Sequence, residues 1–315
     1  MKRFFLIFLM AVLALYSSVS QSQTARRKPI IITTTTDIAA IAAAVTGNGA
    51  EVLSLMKKDG DPDFVISDPV TVFRSAKADC LFRIGAELED RWIQSFYTKT
   101  ENQNIKLGAL ANITLSNQVN LMPVSSADGV TEPIIHKKGN PYIWLDPANG
   151  TRMAAYMCEY LYTMFPEWKE DYTDNLKRFN KNVDDKMGAW RQKMDPWKDI
   201  KMVSYSHKFD YFAKRFNLNI VDYVQPAAGI PPTKQRIEQI VEKMKNDSIQ
   251  YLIVSTNVSA QNYQPIIDAT GATLIKLPVS VGVDWINDYI QLFDYITGVF
   301  QRTVVLPKDQ AQQSQ

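Results

Sequence analysis

The sequence predicts an α/β protein of two lobes with mainly parallel sheets, joined by one long bridging helix. Strand-like and helix-like segments alternate before residue 165 and again after residue 196, an order typical of parallel sheets covered by helices. Between them, the segment 167–194 carries apolar or aromatic residues every three or four positions, as an amphipathic helix requires. At ~1.5 Å per residue such a helix reaches ~40 Å, enough to connect two lobes.

In the first predicted lobe, short β-branched or apolar runs indicate three strands. They span residues 29–36, 51–56 and 80–84. Asp37 is placed to cap the helix that follows the first strand, and Pro69 lies in the first turn of the next helix.

The second predicted lobe repeats the alternation. Its strands are expected at 201–205, 220–224, 251–254 and 273–277. Its helices are expected at 208–216, 233–245, 260–270 and 285–300. Thr233 is the expected cap of the second of these helices. The predicted division of the chain is therefore a signal peptide at 1–22, lobes at 23–165 and 196–307, a bridging helix at 166–195 and a polar tail at 308–315.

The N-terminus has the pattern of a secretory signal. Lys2 and Arg3 precede an apolar run at 4–16, and small residues follow it. A membrane anchor is the alternative, but the run is shorter than the ~20 residues that a spanning helix needs. No cysteine follows the run, so we expect a cleavable signal without a lipid anchor, and a periplasmic protein.

Composition and motifs narrow the function further. The formal net charge of +2 gives no electrostatic reason to expect nucleic acid or an anionic membrane surface as a partner. The sequence contains no P-loop, dinucleotide-binding glycine motif, nucleophile elbow or zinc-protease motif, so an enzyme is not expected. Cys80 and Cys158 fall in predicted core segments, which favours two buried thiols over the disulfide that export would permit.

Several ordered segments resemble one family of transport proteins. The octapeptide at 140–147, NPYIWLDP, is similar to a signature of the cluster A-I solute-binding proteins, the zinc/manganese or TroA-like group. The Asp-Pro-Asp at 61–63, the Ser-His at 206–207 and the loop at 226–235 also match in order. The resemblance implies two α/β lobes on a rigid helical backbone. It also implies an importer component that hands a metal ion to an ABC permease and its ATPase, and we expect a monomer.

The resemblance also assigns positions to the metal ligands, and most of them are changed. The family's first histidine corresponds to Asp63, its second to Tyr142 and its third to His207. The fourth, usually acidic, falls on Val279, with Asp284 as a weak substitute. The histidine-rich loop of the family is absent, and His136 with two lysines stands before the octapeptide instead.

This changed ligand set has its own chemistry. Carboxylate, phenol and imidazole favour a harder ion than three histidines do. A tyrosine binds metal well only as phenolate, and its ordinary pKa of ~10 requires a strongly Lewis-acidic ion to remove the proton. Among Zn, Mn and Fe as cargo, the residues therefore favour Fe³⁺.

Other interpretations remain open for the same residues. Asp63 could be a turn residue, Tyr142 a core aromatic, and His207 a helix cap. The cleft could instead bind a metal chelate or an organic ligand against nearby aromatic side chains. The chain could also be a relative that binds no cargo and acts as a partner protein.

Overall fold

The computed structural model describes residues 26–124, 136–227, 229–283 and 285–303. These residues form two four-stranded sheets, ordered β2-β1-β3-β4 and β6-β5-β7-β8, in which every neighbouring pair of strands is parallel. The strands are β1 Ile30–Thr33, β2 Glu51–Ser54, β3 Cys80–Arg83, β4 Asn112–Thr114, β5 Lys201–Ser204, β6 Asn219–Tyr223, β7 Tyr251–Ser255 and β8 Thr273–Leu277. Two parallel sheets, one in each half of the chain, confirm the predicted fold class.

Helices connect the strands and cover the sheets. They are α1 Thr36–Thr46, α2 Pro69–Arg74, α3 Ile93–Lys99, α4 Pro147–Met164, α5 Lys169–Met194, α6 Asp210–Phe216, α7 Lys234–Asn246, α8 Gln264–Thr270 and α9 Tyr289–Thr303. A large apolar core extends through both lobes, and a smaller cluster lies on the second face of each sheet. Burial on both faces explains why strands such as β1 and β7 read as continuous apolar runs.

Helix α5 connects the lobes and packs against α1, α4 and α9. Its buried side chains, which include Tyr172, Phe179 and Trp190, recur at helical spacing. The Tyr172 hydroxyl donates a hydrogen bond to the carbonyl of Gly49 in the first lobe (3.0 Å), and the Trp190 indole donates to Asp294 in α9 (2.8 Å). The helix is thus fixed at both ends. It lies within the predicted range 166–195, while the lobe boundaries themselves stay predictions.

Most predicted elements are confirmed, and the exceptions have local causes. Thr35, not Asp37, caps α1 by accepting a hydrogen bond from the Ile38 amide, while the Asp37 side chain accepts one from Val281. Helix α9 begins at Tyr289, four residues later than predicted, where the Asp288 side chain accepts a hydrogen bond from the Gln291 amide. The short elements α3 and β4 give no periodic signal long enough to predict.

The remaining predictions on the fold have clear outcomes. Cys80 and Cys158 are both buried and unpaired, as predicted. Among the described residues, no helix is both long enough and apolar enough to cross a membrane. The predicted signal peptide at 1–22 and the tail at 308–315 lie outside the described residues.

Candidate metal centre in the interlobe cleft

The candidate site lies between the lobes, beyond the carboxyl ends of the parallel strands. Asp63 comes from the loop after β2, and His207 follows β5. Tyr142 lies in the loop that enters α4. Open parallel sheets commonly bind their ligands at this edge, because loops from successive strands converge there.

Tyr142 and Asp63 are in direct contact. The phenol hydroxyl of Tyr142 donates a hydrogen bond to Oδ2 of Asp63, and both side chains are buried. Burial, followed by the negative charge of Asp63, raises the pKa of Tyr142 well above its ordinary value of 10. Tyr142 is therefore a neutral hydrogen-bond donor in this arrangement, and not a phenolate.

His136 joins this pair, although the sequence analysis did not select it as a site residue. Its Nε2 atom lies 3.1 Å from Oδ1 of Asp63. Its Nδ1 atom is buried and has no hydrogen-bond partner among the described residues. Two features of the sequence point to His136 only indirectly. It is one of only two histidines, and it stands shortly before the octapeptide.

A second residue that the sequence analysis missed is Lys208. Its Nζ atom donates to both carboxylate oxygens of Asp61 (2.9 and 3.1 Å) and lies 3.5 Å from Oδ2 of Asp63. The same ammonium lies 5.3 Å from the centre of the Tyr142 ring, within range of a cation–π interaction. Only 7% of the Lys208 side chain is exposed, so the charge is held inside the cleft.

The charges of Lys208 and Asp63 stabilise one another. Burial lowers the pKa of Lys208, but the carboxylates of Asp61 and Asp63 outweigh it, and the net shift is upward. Burial likewise raises the pKa of Asp63, but the Lys208 charge and the His136 hydrogen bond bring it down to about 2. The Lys208 ammonium and the Asp63 carboxylate therefore form an ion pair across the physiological pH range.

His207 is held on the other wall of the same space. Its Nδ1 atom lies 2.8 Å from Oδ2 of Asp210, and its ring centre lies 3.6 Å from that of Tyr223. Asp210 also accepts hydrogen bonds from the Tyr223 hydroxyl (2.9 Å) and the Asn140 amide (3.3 Å). These contacts fix the imidazole and leave Nε2 as its ring nitrogen without a hydrogen bond among the described residues.

The described residues enclose a cavity of about 30 Å³ whose walls include His136, Tyr142, His207 and Lys208. A single water requires about 10–15 Å³ on the same measure, and sites for organic ligands commonly span ~300–1,000 Å³. In this conformation the cavity has room for one ion and a water.

The predicted ligands do not all converge. Asp63 contacts Tyr142 and lines a groove of about 250 Å³, whereas His207 lines the 30 Å³ cavity with Tyr142 and forms no hydrogen bond with either side chain among the described residues. Within the described ranges, no three His, Cys, Asp or Glu side chains lie close enough to hold a metal ion together. Val279 supplies no ligand, because it is buried and its carbonyl accepts a hydrogen bond from Trp144 (2.7 Å). Asp284 lies outside the described residues.

A second buried carboxylate lies at the interface between the lobes. Asp37 in α1 accepts a hydrogen bond from the Val281 amide of the second lobe (2.9 Å), and its Oδ2 atom has no partner among the described residues. Within the described residues, no lysine or arginine forms an ion pair with the Asp37 carboxylate. Burial, only partly offset by the hydrogen bond from the Val281 amide, raises the pKa of Asp37 to about 7.

Two parallel-sheet lobes on a helical backbone, with a small cleft between them, form the architecture that the resemblance to solute-binding proteins implies. Comparison with known proteins identifies the family. The family described as ZnuA, zinc-uptake complex component A, periplasmic, matches residues 31–302. The chain therefore belongs to this family, which confirms the predicted resemblance and the expectation of a binding protein and not an enzyme.

Individual relatives are distant. The metal ABC transporter substrate-binding lipoprotein SloC of Streptococcus mutans is 22% identical over 275 residues, which cover 86% of this chain and 87% of SloC. The manganese ABC transporter substrate-binding lipoprotein PsaA of Streptococcus pneumoniae is 24% identical over 261 residues, which cover 80% of each chain. The shared length is nearly complete, while most side chains differ.

The fold is also found in solved structures. The Mn-bound periplasmic metal-binding protein of Candidatus Liberibacter asiaticus superimposes with a TM-score of 0.73 at 16% identity, covering 88% of this chain and 99% of that one. A zinc-bound ZnuA lacking residues 138–173 of its own sequence superimposes with a TM-score of 0.73 at 18% identity, covering 89% of this chain and all of that one. At such identities these likenesses establish the fold alone.

Proposed function

We propose that this protein is the exported cargo-binding component of an ABC importer, and that its cargo is one divalent metal ion held beside His207. Membership of the zinc-uptake family supports the role in metal import. The names of SloC and PsaA supply the kind of partner, an ABC transporter, and PsaA adds manganese as a cargo. The expected partners are a permease and its ATPase, which would receive the ion in the periplasm.

The observation that carries this proposal is the pair of His207 and Asp210. Metal-binding histidines almost always hold a carboxylate, carbonyl or water with the second ring nitrogen, which fixes the tautomer and the orientation of the ring. Nδ1 of His207 has this contact at 2.8 Å, and Asp210 is itself fixed by Tyr223 and Asn140. The pair therefore holds Nε2 of His207 in one orientation, as a metal ligand requires.

The other proposed ligands require a rearrangement of their hydrogen bonds. Tyr142 lines the cavity and contacts Asp63, which lines the neighbouring groove, but the oxygens of both are engaged with each other and with neighbouring groups. His136 adds an imidazole that the sequence analysis did not include. Asp284 stays a predicted fourth ligand.

The expectation of iron gains no support. It required Tyr142 to ionise, and burial beside Asp63 opposes that ionisation. The relatives and structures named above carry manganese and zinc in their descriptions, and none carries iron. The cavity and its surroundings offer imidazole and carboxylate groups as ligands. The proposal therefore favours Zn²⁺ and Mn²⁺ as the cargo ions.

A metal titration tests the proposal. The mature protein, purified without added metal, is titrated with Zn²⁺ and with Mn²⁺ by calorimetry, and its metal content is measured by elemental analysis. We expect one ion per chain in the wild type, loss of most affinity in His207→Gln, and a loss of roughly 10–100-fold in Asp210→Asn. Asp174→Asn, on an exposed face of α5, is the matched control and should bind as the wild type does.

The same titration addresses a second candidate function. The lack of three clustered metal-binding side chains within the described ranges favours a partner protein that carries no cargo. Wild-type protein that takes up neither ion would support that alternative and overturn metal capture. Unchanged affinity in His207→Gln would keep metal binding but remove His207 from the site.

A further inference from the structure

The ammonium group of Lys208 stands where a cargo ion would meet the carboxylate of Asp63. One oxygen of Asp63 faces His136, and the other is shared by the Tyr142 hydroxyl and Lys208 Nζ. Because Lys208 Nζ lies 3.5 Å from Oδ2 of Asp63, a divalent ion bound to that oxygen would lie within a few ångströms of the ammonium. Like charges at that distance repel strongly in a partly desolvated cleft, so both cannot occupy the site.

Lys208 lines both the cavity and a neighbouring groove. It lines the cavity of about 30 Å³ together with Tyr142 and His207. It also lines a groove of about 250 Å³ whose walls include Asp61 and Asn257. The Lys208 side chain is therefore next to an ion in either space.

The contacts of Lys208 connect the two lobes. Asp61 and Asp63 belong to the first lobe, whereas Lys208 follows β5 in the second. The amide of Asn257, which follows β7, also donates to Asp61 (2.7 Å). The ammonium thus does what a bound cation would do in this cleft, since it neutralises carboxylates of one lobe from the other.

We propose that Lys208 is a tethered competitor of the cargo ion, a residue that sets metal affinity by occupying the carboxylate side of the site until the ion displaces it. The inference rests on the proposed function, because it concerns the affinity of the same cavity for Zn²⁺ and Mn²⁺. Because the lysine is covalently attached, its ammonium is always present beside the carboxylate. An incoming ion must bind the carboxylate more favourably than the ammonium does. Removing the charge while keeping the length of the side chain should therefore tighten binding.

Calorimetric titration of Lys208→Met and Lys208→Gln with Zn²⁺ and Mn²⁺ tests this inference. Both variants are expected to bind at least ~10-fold more tightly than the wild type, equivalent to ~1.4 kcal/mol. Lys201→Met is the matched control, because Lys201 lies at the start of β5, half-exposed, and pairs with Asp247 (3.4 Å) away from the cleft. Circular dichroism and thermal unfolding establish that each variant is folded.

The outcomes separate the inference from the proposed function. If the wild type takes up no metal and the Lys208 variants do, the competitor is supported and metal capture by the wild type fails. If the wild type binds and the variants bind equally or more weakly, the competitor is overturned and the proposed function stands. If neither the wild type nor the variants bind, both are overturned.

A measurement on the wild type covers the case in which both variants fail to fold. Lys208 is shielded by its ion pairs, so an amine-acylating reagent should label it slowly. Saturating Zn²⁺ should increase labelling of Lys208, read by peptide mass spectrometry, and leave Lys201 unchanged. Equal labelling of Lys208 with and without metal would overturn the displacement.

Discussion

Two buried aspartates face the second lobe from the first, and they differ in the charged and hydrogen-bonding groups around them. Asp63 lies beside Lys208, and its pKa is lowered to about 2. Asp37 has no cationic side chain beside it among the described residues, and its pKa is raised to about 7. The comparison shows that burial by itself raises the pKa of a carboxylate at the interlobe interface, and that the Lys208 ammonium, together with contacts from His136 and Tyr142, reverses the shift at Asp63.

The two carboxylates should respond to pH in opposite directions. For Asp63, the folded pKa is below the unfolded value, so its stabilising contribution is present above pH ~4 and is lost as the pH falls towards 2. For Asp37, the folded pKa is above the unfolded value, so stability is greatest below pH ~4 and is lost as the pH rises towards 7. Their combined contribution is therefore largest near pH ~4.

The largest effect is expected from removing the ammonium. Lys208→Met leaves Asp61 and Asp63 without their countercharge, and breaking a buried pair from one side commonly costs about 3–5 kcal/mol. Urea unfolding at pH 7 measures the loss. Lys201→Met should change the free energy of unfolding by less than ~0.5 kcal/mol, as expected at an exposed site. Equal stability of the two variants would show that Lys208 does not neutralise the cleft.

A somewhat smaller effect is expected at Asp37. Asp37→Asn removes the ionisable group, so the variant should lose less stability than the wild type between pH 4 and 7, by up to about 4 kcal/mol for a shift of this size. The difference between the wild-type and Asp37→Asn curves of unfolding free energy against pH gives the contribution of Asp37 alone, because all other titrating groups are common to both proteins. Asp174→Asn serves as the exposed control and should follow the wild-type curve. Parallel curves for wild type and Asp37→Asn would contradict the raised pKa.

The smallest effect is expected at the phenol that contacts Asp63. Tyr142→Phe removes one hydrogen bond to a buried charged group, a loss of about 1.5–3 kcal/mol, while keeping the ring beside Lys208. It should also raise the pKa of Asp63, so that the acid-induced loss of stability begins at a higher pH. Urea unfolding across pH 2–5 measures both changes. If the free energy of unfolding of the variant falls over the same acidic pH range as that of the wild type, the Tyr142 hydroxyl does not stabilise the carboxylate.

The sequence predicts the fold better than it predicts the site. Parallel strands such as β1 and β8 are apolar runs with clear ends, and α5 repeats its buried residues at helical spacing, so pattern alone identifies them. Asp63, Tyr142 and His207 were found by their places in ordered motifs, and all three do lie at the cleft.

The contacts that decide the chemistry have no sequence pattern. Lys208 lies 147 positions from Asp61, and His136 lies 73 positions from Asp63, so only the fold brings each pair together. A lysine that follows His207 in sequence gives no indication that its ammonium turns back into the cleft. For the same reason the sequence suggests a phenolate at Tyr142, because the buried carboxylate that opposes ionisation lies 79 positions away.

The most direct test of the account is a crystal structure of the protein loaded with Zn²⁺ or Mn²⁺, with anomalous scattering used to locate the ion. The account predicts one anomalous peak in the cavity between His136, Tyr142 and His207, with Nε2 of His207 as a ligand and the Lys208 ammonium withdrawn from Asp63. A cleft without a peak, or a peak with Lys208 still bound to Asp63, would contradict it.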